Sequence, residues 1–146
     1  MLFIPTTILA WAALALAATR TTAPHGALTV GHGGKYTTIQ HAVDALSASS
    51  SAAQSIFITP GTYNEQVHIK ALKGPLTIYG STSDTSSYHD NKVTITADKT
   101  SGGDDETATL RVWTSNFKMY NVNVKNTHGK GTPALALSAS AAVYHL

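Results

Sequence analysis

The sequence predicts an all-β fold, a parallel β-helix with one short helix near its N-terminus. Three observations support this prediction. Short segments that alternate apolar and polar residues follow one another from residue 56 onward. No second helical pattern separates them, which disfavours a βαβ sheet. The hairpin dipeptides Asn-Gly and Asp-Gly are absent, which disfavours antiparallel pairing, although a β-sandwich remains the alternative.

The strand segments are short and irregularly spaced, as in a solenoid whose coils are joined by variable turns. They cover residues 56–59, 67–69, 76–79, 93–96, 109–113, 117–126 and 134–139. Within the sixth segment Phe117 and Met119 are odd-numbered, whereas Val122 and Val124 are even-numbered. A shift of one residue moves the apolar side chains to the opposite face of a strand. We therefore expect a bend or bulge near residues 120–121.

One segment has the pattern of a helix. Ile39, Ala42, Val43 and Leu46 are spaced so that they share one face. Thr37 and Gln40 match the capping-box pattern at its start, and the serine-rich run 47–51 ends it. The glycine-rich stretch 31–36 before it predicts a turn with positive φ, not a phosphate loop, because no Gly-Lys-Ser/Thr follows.

The N-terminus predicts secretion. Residues 1–17 are apolar and uncharged and end in Ala-Leu-Ala, as in a signal peptide. A buried helix or an uncleaved anchor is the alternative. We expect residues 18–27 to form a flexible leader and residues 28–146 to form the folded domain.

Composition excludes several classes of protein. The chain has no cysteine, so a core must stabilise it without disulfides or thiolate metal sites. Its net charge is +2 and only 12% of its residues are charged, which disfavours a nucleic-acid-binding protein.

Candidate chemical groups are few. Glu65, after the turn at Pro60-Gly61, is either a general acid or base or, as we favour, a cap for backbone amides beside a packed Tyr63. The acidic run 104–106 lacks calcium-loop spacing and predicts an exposed loop. The histidines are His25, His32, His41, His68, His89, His128 and His145. They lack metal-ligand spacing, so we expect no metal site. No Gly-x-Ser-x-Gly elbow is present.

Four blocks, taken in order, resemble the pectinesterase (pectin methylesterase) family in its fungal secreted branch. The best is "PGTYNEQVHI", which is similar to the family block G-x-Y-x-E-x-V/I. The others are "GGKYTTIQHAVDAL", "LTIYGSTSDTSSYHDNKVTIT" and "ETATLRVWTSNFKMYNVNVKNTHGKGTPALALSASA". The resemblance covers residues 28–141.

The resemblance implies a right-handed parallel β-helix that is secreted, metal-independent and free of cofactors. It implies hydrolysis of the methyl esters of galacturonosyl units in pectin (methylated homogalacturonan), with no nucleic-acid partner and no membrane association after signal cleavage. In the family one aspartate attacks the ester and a second serves as acid and base, while glutamines stabilise the oxyanion. Tyr63 and Glu65 occupy motif positions whose substrate-binding role is unknown.

The chain departs from the family pattern at its catalytic blocks. Neither a G-Y-Q-D-T nor a D-F-I-F-G block occurs in the 146 residues. Pro133 stands where the first oxyanion glutamine is expected, and proline has no side-chain donor. We therefore expect the N-terminal half of a pectinesterase domain, without catalytic residues, inactive by itself and prone to aggregate.

Two other functions remain as alternatives. A non-catalytic β-helix that binds pectin or another polysaccharide, or an inert remnant, would fit the missing aspartates. A pectate lyase on a similar solenoid would need clustered calcium-binding aspartates, for which Asp104 and Asp105 are a poor substitute.

Overall fold

The computed structural model describes residues 18–100 and 102–140, and within them the chain winds as a parallel β-helix. The strands are β1 (Leu28–Val30), β2 (Gln54–Ile58), β3 (Gly61–Asn64), β4 (Val67–Ile69), β5 (Leu76–Gly80), β6 (Val93–Ala97), β7 (Leu110–Val112), β8 (Phe117–Tyr120), β9 (Val122–Asn126) and β10 (Leu137–Ala139). The helices are α1 (Ile39–Asp44) and the four-residue α2 (Asp104–Thr107), with a 3₁₀ turn at Tyr88–Asp90.

Three coils each contribute one strand to each of three sheets, and β1 adds a fourth strand to one sheet. The sheets have the orders β1-β2-β5-β8, β3-β6-β9 and β4-β7-β10. Every pairing between these strands is parallel, which rules out the β-sandwich alternative. Gln54 pairs with Leu76 and Leu76 with Phe117, so successive coils take 22 and 41 residues. The longer coil contains the loops around residues 81–92 and 98–109.

The core consists of inward-facing side chains stacked from coil to coil. Ile56, Ile78 and Met119 are in register in one sheet. The stacks of the other two sheets are Val93–Val122 and Val67–Leu110–Leu137. Residues of the inner coils are fully buried, whereas Leu137 in the last coil is 47% exposed. Among the described residues, the stack is therefore buried in the inner coils and exposed at the coil of β8, β9 and β10.

The expected bend in segment 117–126 is confirmed, and it is a corner between two sheets. Asn121 lies between β8 and β9 with φ at 56°. Its side chain donates to Asn91 Oδ1 at 3.1 Å and accepts from Arg20 Nη1 at 3.2 Å. The corner explains the parity shift, because β8 and β9 belong to different sheets.

The helix is shorter than its apolar pattern indicates, and the predicted cap is wrong. The N-cap is Thr38, whose hydroxyl oxygen accepts from the His41 amide at 3.2 Å. Gln40 instead donates to Asp44 and to the carbonyl of His68. The helix ends at Asp44, so Leu46 packs against the core from outside it. The glycine turn is confirmed, with φ at 96° for Gly31.

The segment expected to be a flexible leader is held in place at Arg20. Its backbone exchanges two hydrogen bonds with Thr82, at 3.0 and 2.9 Å. Its guanidinium lies 4.6 Å from the centre of the Tyr79 ring. The predicted signal peptide, residues 1–17, lies outside the described residues.

Candidate functional site

A ladder of polar side chains runs along the outer face of the sheet of β4, β7 and β10. His68, Arg111 and Ser138 are paired in register across these strands. They alternate with buried neighbours such as Val67 and Leu110, so they face outward. Adjacent strands lie about 4.8 Å apart, which brings side chains from distant parts of the sequence into contact.

Two further side chains complete the outer-face cluster, which we define as His68, Asp105, Arg111, Trp113 and Ser138. Asp105, in α2, accepts from Arg111 Nε at 2.9 Å and from Arg111 Nη2 at 2.6 Å. It also accepts from Trp113 Nε1 at 3.3 Å. The Trp113 ring contacts the edge of the His68 ring, with 4.2 Å between their centres. The cluster is therefore tied together by hydrogen bonds and aromatic contacts.

The surroundings of the outer-face cluster lower the pKa values of Asp105 and His68. Burial by itself would raise the pKa of Asp105, but hydrogen bonds from Ser138, Arg111 and Trp113 and the Arg111 charge hold that pKa below its ordinary value. Burial and the nearby Arg111 charge lower the pKa of His68, while Asp105 partly opposes this. The cluster thus holds an aspartate paired with an arginine beside a neutral imidazole. The His68 Nε2 atom is buried and has no hydrogen-bond partner among the described residues.

A cavity of about 200 Å³ lies beside this surface. The end of α1 and the residues that follow it form one wall, which includes Asp44 and Leu46. The other wall is β4 and its continuation, which includes His68, Lys70 and Leu72. The cavity could hold one small polar group next to the sheet.

The two motif positions from the sequence serve the backbone. Glu65 accepts from the amides of Ile39 and Gln40 at 2.9 Å each, which confirms that it caps backbone groups. Tyr63 donates its hydroxyl to the carbonyl of Thr59 at 2.9 Å and is half-buried. Both lie on β3 or the turn after it, and among the described residues neither side chain is hydrogen-bonded to the outer-face cluster.

The remaining candidates divide between the cluster and the surface. In the acidic run Asp104 and Glu106 are exposed as expected, but Asp105 is half-buried in the cluster, so the expected loop is a short helix with a structural ion pair. Pro133 lies in the exposed stretch before β10. Among residues 18–100 and 102–140, no three histidine or acidic side chains gather closely enough to hold a metal ion.

From the sequence we did not predict that His68 lies together with Arg111, Trp113 and Ser138. The only available signal was the strand alternation, which turns His68 and Arg111 outward in their own segments. It cannot show that the two segments are neighbours, because 43 residues separate them.

The three parallel sheets define the chain as a parallel β-helix protein. The outer face of one sheet carries a ladder of polar side chains. Comparison with known families identifies it further. The family model Pectinesterase matches residues 27–145. The chain therefore belongs to the pectinesterase family.

Relatives and solved structures agree with this assignment. A pectinesterase from Aspergillus niger is 52% identical over 136 residues, which are 90% of this chain and 41% of the relative. A probable pectinesterase A from Neosartorya fischeri is 54% identical over 125 residues, 84% of this chain and 38% of the relative. The crystal structure of the Aspergillus niger pectin methylesterase in deglycosylated form matches with a TM-score of 0.80 and 48% identity, covering 85% of this chain and 42% of that one. The chain thus spans about two fifths of the length of these relatives.

The fold extends to more distant proteins. The pectin methylesterase from carrot matches with a TM-score of 0.69 at 24% identity, which supports the β-helix fold alone. In the part of the chain that the structure describes, no helix has the length and apolar character needed to cross a membrane.

Proposed function

We propose that this chain is the N-terminal β-helical part of an extracellular pectinesterase, which hydrolyses the methyl esters of galacturonosyl units in pectin. The observation that carries the proposal is the family match over residues 27–145. The TM-score of 0.80 with a fungal pectin methylesterase supports it, because that match covers 85% of this chain. Methylated homogalacturonan is the proposed substrate.

Within such an enzyme, this part supplies coils of the β-helix that help to position the catalytic residues. The parallel register fixes where β10 lies relative to β7 and β4, and the residues just before β10 include Pro133. A glutamine at that position could donate a hydrogen bond to the oxyanion, whereas proline cannot. The 146 residues hold neither aspartate block of the family pattern, so we expect no methanol release from this polypeptide by itself.

A chimera tests the proposal. Residues 28–140 would replace the matching segment of the Aspergillus niger pectinesterase, and methanol release from methylated pectin would be measured. We expect the chimera to fold and to hydrolyse pectin once Pro133→Gln is introduced. The chimera that keeps Pro133 is the matched control, and we expect its kcat to be about a hundredfold lower, the loss typical of one missing oxyanion donor.

A folded Pro133→Gln chimera that releases no methanol would contradict the proposal. Such a result, together with retention of this chain on immobilised pectin, would favour the second candidate function, a non-catalytic pectin-binding β-helix. The proline at the expected glutamine position is the observation that favours this second candidate.

A further inference from the structure

Asn126 is a polar residue at an inward-facing position, at the end of β9. It pairs in register with Ala97 of β6, which is buried. Val122 and Val124, which precede it at intervals of two residues, pack against the core. The alternation of a strand therefore turns the Asn126 side chain toward the same face. A polar group in that place needs hydrogen-bond partners to offset its loss of water.

The Asn126 side chain bonds two successive connections between strands. Its Nδ2 group donates to the carbonyls of Lys99 at 2.8 Å and Thr107 at 2.9 Å, in the connection before β7. The same group donates to the carbonyl of Leu135 at 3.2 Å, in the connection before β10, so one of its two protons is shared. Its Oδ1 accepts from the amide of His128 at 3.0 Å. One side chain thus joins both ends of the second connection to the preceding coil.

Further contacts hold this second connection, the 127–136 loop, between its ends. His128 Nδ1 is hydrogen-bonded to Asp98 Oδ1 at 2.6 Å. The hydroxyl groups of Thr132 and Thr100 are hydrogen-bonded to each other. Asp98 and Thr100 both belong to the connection of the preceding coil. The loop is therefore held along its length as well as at its two ends.

Pro133 lies between two of these contacts, those of Thr132 and Leu135, shortly before β10. It occupies the position at which the family resemblance expects the first oxyanion glutamine. An oxyanion donor must lie within about 3 Å of the place where the negative charge develops. We propose that Asn126 is a positioning residue for the ester hydrolysis, because it anchors the 127–136 loop and so sets where the side chain at position 133 lies. This inference rests on the proposed function and adds a residue that acts through another.

The chimera with Pro133→Gln and the chimera that keeps Pro133 test this role together. Asn126→Asp preserves the size of the side chain and its acceptor oxygen, but removes the group that donates to three carbonyls. In the Pro133→Gln chimera we expect Asn126→Asp to lower kcat about a hundredfold and to leave KM within about twofold, because the donor is misplaced in the transition state. In the chimera that keeps Pro133 we expect kcat to stay nearly unchanged, because no donor stands at that position.

A merely structural role of Asn126 predicts a different pattern. A loss of folded protein would lower the activity of both chimeras by the same factor. Asn123→Ala is the matched control, because Asn123 lies on the same strand and its side chain accepts from Asn91, outside the loop. We expect this control to leave kcat unchanged in both chimeras. An equal loss in both chimeras on Asn126→Asp, or no loss in either, would overturn the positioning role.

Hydrogen exchange in the full 146-residue chain tests the anchor without any catalytic reaction. We expect Asn126→Asp to speed the exchange of amides in the 127–136 loop about tenfold, the effect expected for the net loss of one hydrogen bond. Amides of β5, in the core, should remain as protected as in the parent chain. Asn123→Ala should leave exchange in the loop unchanged. Loop amides that exchange at the parent rate in Asn126→Asp would overturn the anchor.

The outcomes separate this inference from the proposed function. An active Pro133→Gln chimera that is insensitive to Asn126→Asp would refute the positioning role alone. An inactive Pro133→Gln chimera, together with faster loop exchange in the Asn126→Asp chain, would refute the esterase function and retain Asn126 as the anchor of the loop.

Discussion

Glu65 links the helix to the β-helix through two hydrogen bonds. Its carboxylate accepts from the first two amides of α1, Ile39 and Gln40, although 26 and 25 residues separate them in sequence. The first amides of a helix have no acceptor within the helix. A negative charge beside them also interacts favourably with the positive end of the helix dipole. Glu65 therefore stabilises the placement of α1 against the coils.

We expect Glu65→Ala to lower the free energy of unfolding by about 1–3 kcal/mol, because two amides lose a charged acceptor. Urea denaturation followed by circular dichroism measures this change. Glu106→Ala is the matched control, since Glu106 is exposed and, among the described residues, its carboxylate accepts from a single amide, that of Gly103 just before α2. A Glu65→Ala variant no less stable than the control would contradict the capping role.

His68 makes stability depend on pH. Burial and the Arg111 charge lower its pKa in the folded state, while the unfolded chain keeps a value near 6.5. Below that value the unfolded state takes up a proton first, so the free energy of unfolding falls as the pH drops from about 6.5 toward the lower folded pKa.

We expect His68→Gln to flatten the pH dependence of the unfolding free energy below about pH 6.5. Denaturant unfolding of the parent chain and the variant at several pH values between 7 and 5 provides the measurement. An identical slope in both proteins would show that His68 does not carry this dependence.

At the scale of elements, the corner between β8 and β9 sets the direction of the last coil. Asn121 has positive φ there, and its side chain is bonded to Asn91 and Arg20. Gly80 packs beneath the corner, where an added Cβ would lie 2.1 Å from the carbonyl oxygen of Asn121. The close approach of two backbones explains why this position, at the end of β5, is a glycine.

We expect Gly80→Ala to destabilise the fold by about 1–3 kcal/mol or more, because the backbone of the corner must move. Gly103→Ala is the matched control, since nothing lies within 4 Å of its added Cβ. Thermal unfolding of both variants would give the comparison. Equal melting temperatures would contradict a tight corner.

At the scale of the whole molecule, the described structure has one open end. β8, β9 and β10 each lie at the edge of a sheet, and inward-facing Leu137 is 47% exposed. Unpaired strand edges beside apolar side chains favour pairing with another chain. Burying a leucine side chain contributes about 1.5–3 kcal/mol, so the end supplies a driving force for association.

We expect the 146-residue chain to self-associate in a concentration-dependent manner, as measured by sedimentation velocity. Leu137→Glu should reduce the association. Tyr88→Ser is the matched control, because Tyr88 is 73% exposed and lies in a 3₁₀ turn that is not part of a strand. A monomer at all concentrations would refute this expectation.

Strand alternation and motif blocks predicted much of the fold. The parallel β-helix, the corner at residues 120–121 and the family were predicted correctly. The helix length was not, because Leu46 continues the helical spacing while the chain has already turned after Asp44. β1 and β3 were missed, because β3 has the turn-like sequence Gly-Thr-Tyr-Asn and β1 directly follows the segment expected to be a flexible leader.

The sequence by itself determined which residues face inward and to which family the chain belongs, because alternation and ordered motifs are local properties. Only the tertiary structure decided which outward residues meet. His68, Arg111 and Ser138 lie on three successive coils, and Asp105 lies between β6 and β7, within the coil of Arg111. Their contact depends on parallel register, which joins positions 43 residues apart (His68 and Arg111) and 27 residues apart (Arg111 and Ser138) across loops with no repeating pattern.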